Sequence, residues 1–216
     1  DVWFNMKKLL ILSVIYGLAI NAYASDSDSV KQLENALISN TQEDKALDLS
    51  GYDMRKFGSL NGSNIKGKLN FKNANLKNTN FAGIDIRNIH FQGSNLENAN
   101  FEGAMLSSTS FINAKLDNAN FKNAEFTSVI FRRSSVKKND FENLVAENTN
   151  FDNVDLSGSS FFNVQLTNAN FDHSKLNNVI LKDSTLHQVS FSNITGKQNF
   201  VKSNLNTTRV SGLGLF

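Results

Sequence analysis

From Phe71 to Phe191 the large apolar residues recur at every fifth position. Of the 25 positions in that register, 24 hold Phe, Leu, Ile or Val, and Ala146 is the exception. Neither the two-residue period of a strand nor the 3.6-residue period of a helix gives this spacing. Two residues before most large positions stands a small or β-branched residue, as at Ala74, Thr79, Ser94, Ala119 and Val154. Two inward side chains flanking one outward residue, such as Asn75 or Asp155, make a three-residue extended segment. Two residues after the large position, Asn or Gly occupies 18 of the 25 units, including Asn73, Gly83 and Asn118. These are the residues that tolerate left-handed turn backbone. Each unit therefore predicts a short strand followed by a corner. With corners near a right angle, four units close one coil of about 20 residues.

Sorting the large positions by that coil length supports four sides. Phe71, Phe91, Phe111, Phe131, Phe151, Phe171 and Phe191 form one column. Phe81, Phe101, Phe121, Phe141 and Phe161 form another, ended by Leu181, and the two remaining columns are mostly Leu. Stacked at the strand spacing of about 4.8 Å, about six coils make a regular core roughly 30 Å long. The regular core is expected over 69–193 within a repeat domain covering 47–216. Leu49, Met54, Leu60 and Ile65 suggest a ragged start. Phe200, Leu205, Val210 and Leu215 resume the period one residue out of register, which places a slip near Gly196.

The polar composition changes at the N-terminus. Residues 1–5 read as an upstream remnant and 6–24 as a secretory signal peptide. Lys7 and Lys8 supply the positive start, Leu9 to Ile20 the apolar stretch, and Ala22-Tyr23-Ala24 the cleavage site. The rival reading of this segment is a short buried helix or an uncleaved anchor. Export to the periplasm or the extracellular medium is the expectation, with no membrane-spanning segment after cleavage. Residues 25–46 read as an N-terminal cap, with a short helix at about 29–39 started by Ser29 and Gln32 and lining up Val30, Leu33, Leu37 and Ile38.

The chain has no Cys and no Pro. Disulfides, thiolate metal sites and a Cys nucleophile are thereby excluded, and a Pro-free chain suits a continuous backbone ladder. Of 22 basic and 20 acidic residues, removing Lys7, Lys8 and Asp1 leaves 20 and 19. A net charge of +1 neither steers toward nucleic acid nor imitates it, so no nucleic-acid partner is expected.

The units "ANLKN", "TNFAG", "SNLEN", "ANFEG", "AKLDN" and "ANFKN" resemble the pentapeptide-repeat family, over about residues 47 to 215. The resemblance implies an all-β fold, a right-handed quadrilateral β-helix. It also brings the family's best-known members, dimeric DNA mimics that bind bacterial gyrase. This chain departs from them in its signal peptide and its balanced charge.

Candidate chemistry is sparse. His90, His173 and His187 fall in different slots of the repeat, and the reading is three exposed, unpaired histidines. No nucleophile triad, metal motif or phosphate loop is present, so no catalytic, cofactor or metal residue is assigned and the chain reads as a non-enzyme. "FRRSSVKKND" puts Arg132, Arg133, Lys137 and Lys138 on two adjacent corners. This is either an anion-binding patch or a solvated face partly neutralised by Asp152 beside Arg132 and Asp117 beside Lys137. Met105 and Val145 are apolar on an outward face and suggest a partner strip. At the C-terminus Leu205, Val210, Leu213, Leu215 and Phe216 either pair end to end in a homodimer or fold back as a plug. The expected function is an exported, non-enzymatic scaffold binding an unknown protein. The alternative is a shape- and charge-mimicking inhibitor of an enzyme such as a DNA topoisomerase.

Overall fold

The computed structural model describes residues 54–57, 59–61, 71–196, 198–201 and 209–211. Within them the chain is a parallel β-solenoid. Bridges join each outward residue to the one 20 positions on, as in Asn75↔Asn95↔Lys115↔Ser135↔Asp155↔Lys175 and Asn80↔Asn100↔Asn120↔Asp140. One side is a seven-stranded parallel sheet. It runs through Ser59–Asn61, Asp85–Arg87, Met105–Ser107, Glu125–Thr127, Val145–Glu147, Gln165–Thr167 and Thr185–His187. Its register advances by 20 residues from Ile86 to Leu106 to Phe126 to Ala146.

The corners explain why five residues suffice for a side. All 25 positions two after a large residue have positive φ, from Asn73 at 57° to Asn193 at 54°. Four of them are Gly. At most corners the N–H of the next inward residue donates to the preceding large residue's carbonyl, as Ala74 to Phe71 (3.0 Å) and Ala119 to Leu116 (3.0 Å). At Gly93 a Cβ would meet the Asn73 carboxamide oxygen, which would have to swing aside.

Between coils the backbone ladder is continuous. Phe121 N–H donates to the Asp140 carbonyl (2.8 Å) and Asn120 N–H to Ala99 (3.0 Å). The Phe columns stack along the axis, for example Phe101–Phe121 at 4.9 Å and Phe141–Phe161 at 4.5 Å, with ring planes within 16° throughout. Rings of the two columns meet edge to face, as Phe111 and Phe121 do at 80°. Each such pair adds about 0.5–1.5 kcal/mol beyond burial. The exceptional Ala146 stands directly after Phe126 in the sheet, so the extra ring volume of one coil is offset in the next.

Three of the inward serines are absorbed by a device that sequence patterning does not reveal. At three corners a serine hydroxyl from the next coil is inserted into the corner hydrogen bond. Asn139 N–H donates to Ser159 Oγ (3.0 Å), which donates to the Val136 carbonyl (2.8 Å). Ser174 bridges Val154 and Phe151 in the same way, and Ser184 bridges Val164 and Phe161. The hydroxyl is satisfied in both roles, so burying it costs little.

The irregular ends follow the expected pattern. Leu60 pairs with Ile86, so the first coil is longer than 20 residues, and Met54 is buried with its N–H on the Asn80 carbonyl. After Thr195, which still pairs 20 residues back with Lys175, the ladder advances by 19, pairing Leu181 with Phe200 and Phe191 with Val210. That is the one-residue slip, with Gly196 at φ 100° beside it. The expected cap helix at about 29–39 and the signal segment 6–24 lie outside the described residues.

Candidate partner-binding surface

With the interior filled by side chains, chemistry is confined to the outer positions. Charged groups there pair along the axis, one coil apart. Lys77 meets Glu97 (3.2 Å), Lys122 meets Glu142 (2.7 Å) and Arg132 meets Asp152 (3.2 Å). The hydrogen bond and charge of Glu142 raise the pKa of Lys122, and Asp85 does the same for Arg87. Corner asparagines form short ladders, with Asn163 Nδ2 donating to Asn143 and Asn143 Nδ2 to Asn123, both at 2.8 Å.

At the predicted basic patch the pairing differs from the expectation. Asp117 does not take the Lys137 ammonium. Its carboxylate accepts the Lys137 backbone N–H (3.1 Å) and the Ser135 hydroxyl (2.5 Å), which orient it against the chain. The Lys137 ammonium reaches instead to Asp155 at 3.6 Å. Burial pushes the Asp155 carboxyl up, but hydrogen bonds from the Ser157 hydroxyl and N–H, with the charges of Lys137 and Lys175, outweigh it and leave its pKa below the ordinary value. Arg133 and Lys138 are exposed corner residues whose side chains have no ion pair or hydrogen bond among the described residues.

The histidine reading is corrected at His173. It is exposed but not unpaired, since Nδ1 lies 3.0 Å from Asp152 and Nε2 3.3 Å from Asn193 Nδ2. A long corner side chain can reach both the coil before and the coil after, which sorting by slot alone overlooks. His187 also has a partner, and His90 Nδ1 lies 3.5 Å from Gln92.

Met105 and Val145 are both 45% exposed on the seven-stranded side, with Glu125 between them. Ile130, Phe162 and Ile180 are exposed on other sides, with Lys182 5.7 Å from the Phe162 ring centre. Leu205, Leu213, Leu215 and Phe216 lie outside the described residues. Val210 falls within the strand Arg209–Ser211, which pairs with Ser190–Ser192. Among the described residues no three His, Asp or Glu side chains gather as a metal site, and no helix is long and apolar enough to cross a membrane.

A coil of four five-residue sides with inward Phe and Leu columns and left-handed corners defines a right-handed quadrilateral β-helix. The family models agree, with the pentapeptide repeat region matching residues 68–141 and pentapeptide repeats matching 139–171 and 165–195. The chain belongs to the pentapeptide-repeat family. No curated protein matches it. Among solved structures it is similar to HetL, a pentapeptide repeat protein involved in heterocyst differentiation regulation from the cyanobacterium Nostoc sp. strain PCC 7120. That match has 16% identity and a TM-score of 0.41, covering 80% of this chain and 86% of HetL. Full-length QnrB1, a plasmid-mediated fluoroquinolone resistance protein, matches at 18% identity and a TM-score of 0.42, covering 76% and 91%. A pentapeptide repeat protein from the Arabidopsis thaliana thylakoid lumen matches at 26% identity and a TM-score of 0.26, covering 46% and 63%.

Proposed function

We propose that this protein is an exported, non-enzymatic scaffold that presents its outer faces to a protein partner. The observation that carries this reading is the division of side chains. Every large residue of the repeat register from Phe71 to Phe191 is buried within the coil. What is left outside is a set of flat, rigid, hydrogen-bonded faces with regularly spaced polar groups, the kind of surface that solenoids offer to partners. Export is supported by the signal-peptide pattern of residues 6–24. Mimicry of nucleic acid finds no support in the charge, since 11 basic and 12 acidic residues stand between Phe71 and Thr195.

The test is cell fractionation with N-terminal sequencing, followed by crosslinking in the compartment where the chain is found. A chain starting at Ser25 in the periplasm or medium, crosslinked to one protein at fixed stoichiometry, is the expected result. An intact Met6 start in the cytoplasm would overturn the reading.

A further inference from the structure

Resting on the scaffold reading, the geometry points to the side of the solenoid between Arg133 and Lys138, with Lys115 one coil before it, as a docking surface for an acidic segment of a partner protein. Three observations converge on these residues. The first is local backbone. Arg133 and Lys138 hold the left-handed corner conformation, at φ 59° and 55°, where most corners of this chain use Asn or Gly. A long side chain in that conformation is strained. Ser108, Ser128, His173, Asp183 and Gln188 also depart from Asn or Gly at their corners, but Arg133 and Lys138 are the two successive corners that both carry a cation, and such departures concentrate at functional sites.

The second is charge satisfaction. The carboxylates on and beside this side are engaged: Asp117 by Ser135 and the Lys137 N–H, Asp155 by Ser157 and Lys137, Asp152 by Arg132 and His173, and the exposed Asp140, two residues after Lys138, by the Glu142 N–H. The side chains of Lys115, Arg133 and Lys138 have no ion pair or hydrogen bond among the described residues, and all three are exposed. Lys115 bridges in register to Ser135, midway between the two corners. The three cations therefore frame one side, with the corners separated by about 10 Å of extended chain.

The third is what supports them. Gly158, one coil after Lys138, has no Cβ; one placed there would stand 3.3 Å from Lys138 Cγ. Next to Lys138, Asn139 is buried with its Nδ2 unpartnered, a further departure in the same ten residues. The intervening Asp117, Asp152 and Asp155 tell against a continuous polyanion, which would meet them at every step. Separate carboxylates on a peptide can match three discrete cations.

A fluorescein-labelled peptide of alternating Glu and Ser, read by anisotropy at low salt with the full chain, tests this. Parallel arms use a labelled single-stranded oligonucleotide and phosphatidylglycerol vesicles. The variant Arg133→Asn/Lys138→Asn relieves both strained corners. It is expected to raise the thermal midpoint while weakening the peptide by about tenfold or more. A control with the same charge loss at paired cations, Arg87→Asn/Lys122→Asn, should stay within about twofold. Equal loss in both variants overturns the assignment, as does tighter binding of the oligonucleotide or the vesicles. Unchanged peptide binding in Arg133→Asn/Lys138→Asn refutes this surface and leaves the scaffold reading standing. A cytoplasmic, uncleaved chain refutes that reading and not this surface.

Discussion

Phe121 lies at the middle of its column with no exposed surface. Phe101 stacks on one face at 4.9 Å and Phe141 on the other at 5.3 Å. Phe111, Phe126 and Phe131 meet it edge to face at 6.4, 5.4 and 5.9 Å. Replacing it with Ala removes the ring from a site whose walls are backbone ladders and cannot collapse inward. The loss should fall at the upper part of the range for such truncations, about 4–5 kcal/mol. Leu is sterically acceptable, because Leu181 fills the same column. Phe121→Leu keeps most of the apolar burial and gives up the ring contacts, for an expected loss of roughly 1–3 kcal/mol. Urea unfolding followed by far-UV circular dichroism measures both. With m of about 1–3 kcal/mol/M, the Ala variant should lower the midpoint by at least about 1 M. Lys122→Ala, next in sequence and outward, is the control and should shift it little. A Phe121→Ala loss below about 1 kcal/mol, or one matched by Lys122→Ala, would falsify the assignment of inside and outside.

Three further outcomes follow from the same geometry. Ser128 holds a left-handed corner at φ 57° one coil before Asn148. Ser128→Asn should stabilise by about 0.5–1 kcal/mol in the same urea titration, through relief of backbone strain. Asn139→Ala removes the buried, unpartnered Nδ2 together with the Oδ1 that accepts from Ala119 N–H (3.2 Å), and that N–H keeps its bond to Leu116. A gain of about 1 kcal/mol is expected, and a loss of that size would show that the Oδ1 bond outweighs the unpartnered Nδ2. Asp155 has a lowered pKa in the folded chain, so its contribution is present above the ordinary carboxylate pKa. It is lost as pH falls from that value through the depressed one, where protonation favours unfolding. Asp155→Asn should therefore flatten the fall in thermal midpoint below about pH 4, and an unchanged acid slope would count against it.

Much of the fold was legible because its determinants are local. An apolar residue every fifth position sets which side chains turn in, and Asn or Gly two residues later marks where the backbone can turn. Both signals lie within one unit, so 24 large residues and 18 tolerant corners were enough to read the coil. The slip after Phe191 was visible for the same reason, as a break in a local count. The outer surface was legible only in part. Arg132 could be matched to Asp152 by adding 20, because both side chains leave the strand at the same slot. Lys137 could not, since the Asp117 that the same rule assigns to it is turned away by Ser135 and by the Lys137 backbone itself.

What the sequence determined by itself is therefore the period, the inward and outward sets, and the four-sided coil. What only the tertiary structure decided is how neighbouring coils meet. Ser159, Ser174 and Ser184 slip into the corner bonds of the coil before them, His173 links the coils on either side, and the side chains of Arg133 and Lys138 have no ion pair or hydrogen bond among the described residues. The reason is physical. Hydrophobic burial and left-handed backbone tolerance belong to single residues, whereas a hydrogen bond or ion pair depends on tenths of an ångström between atoms about 20 residues apart.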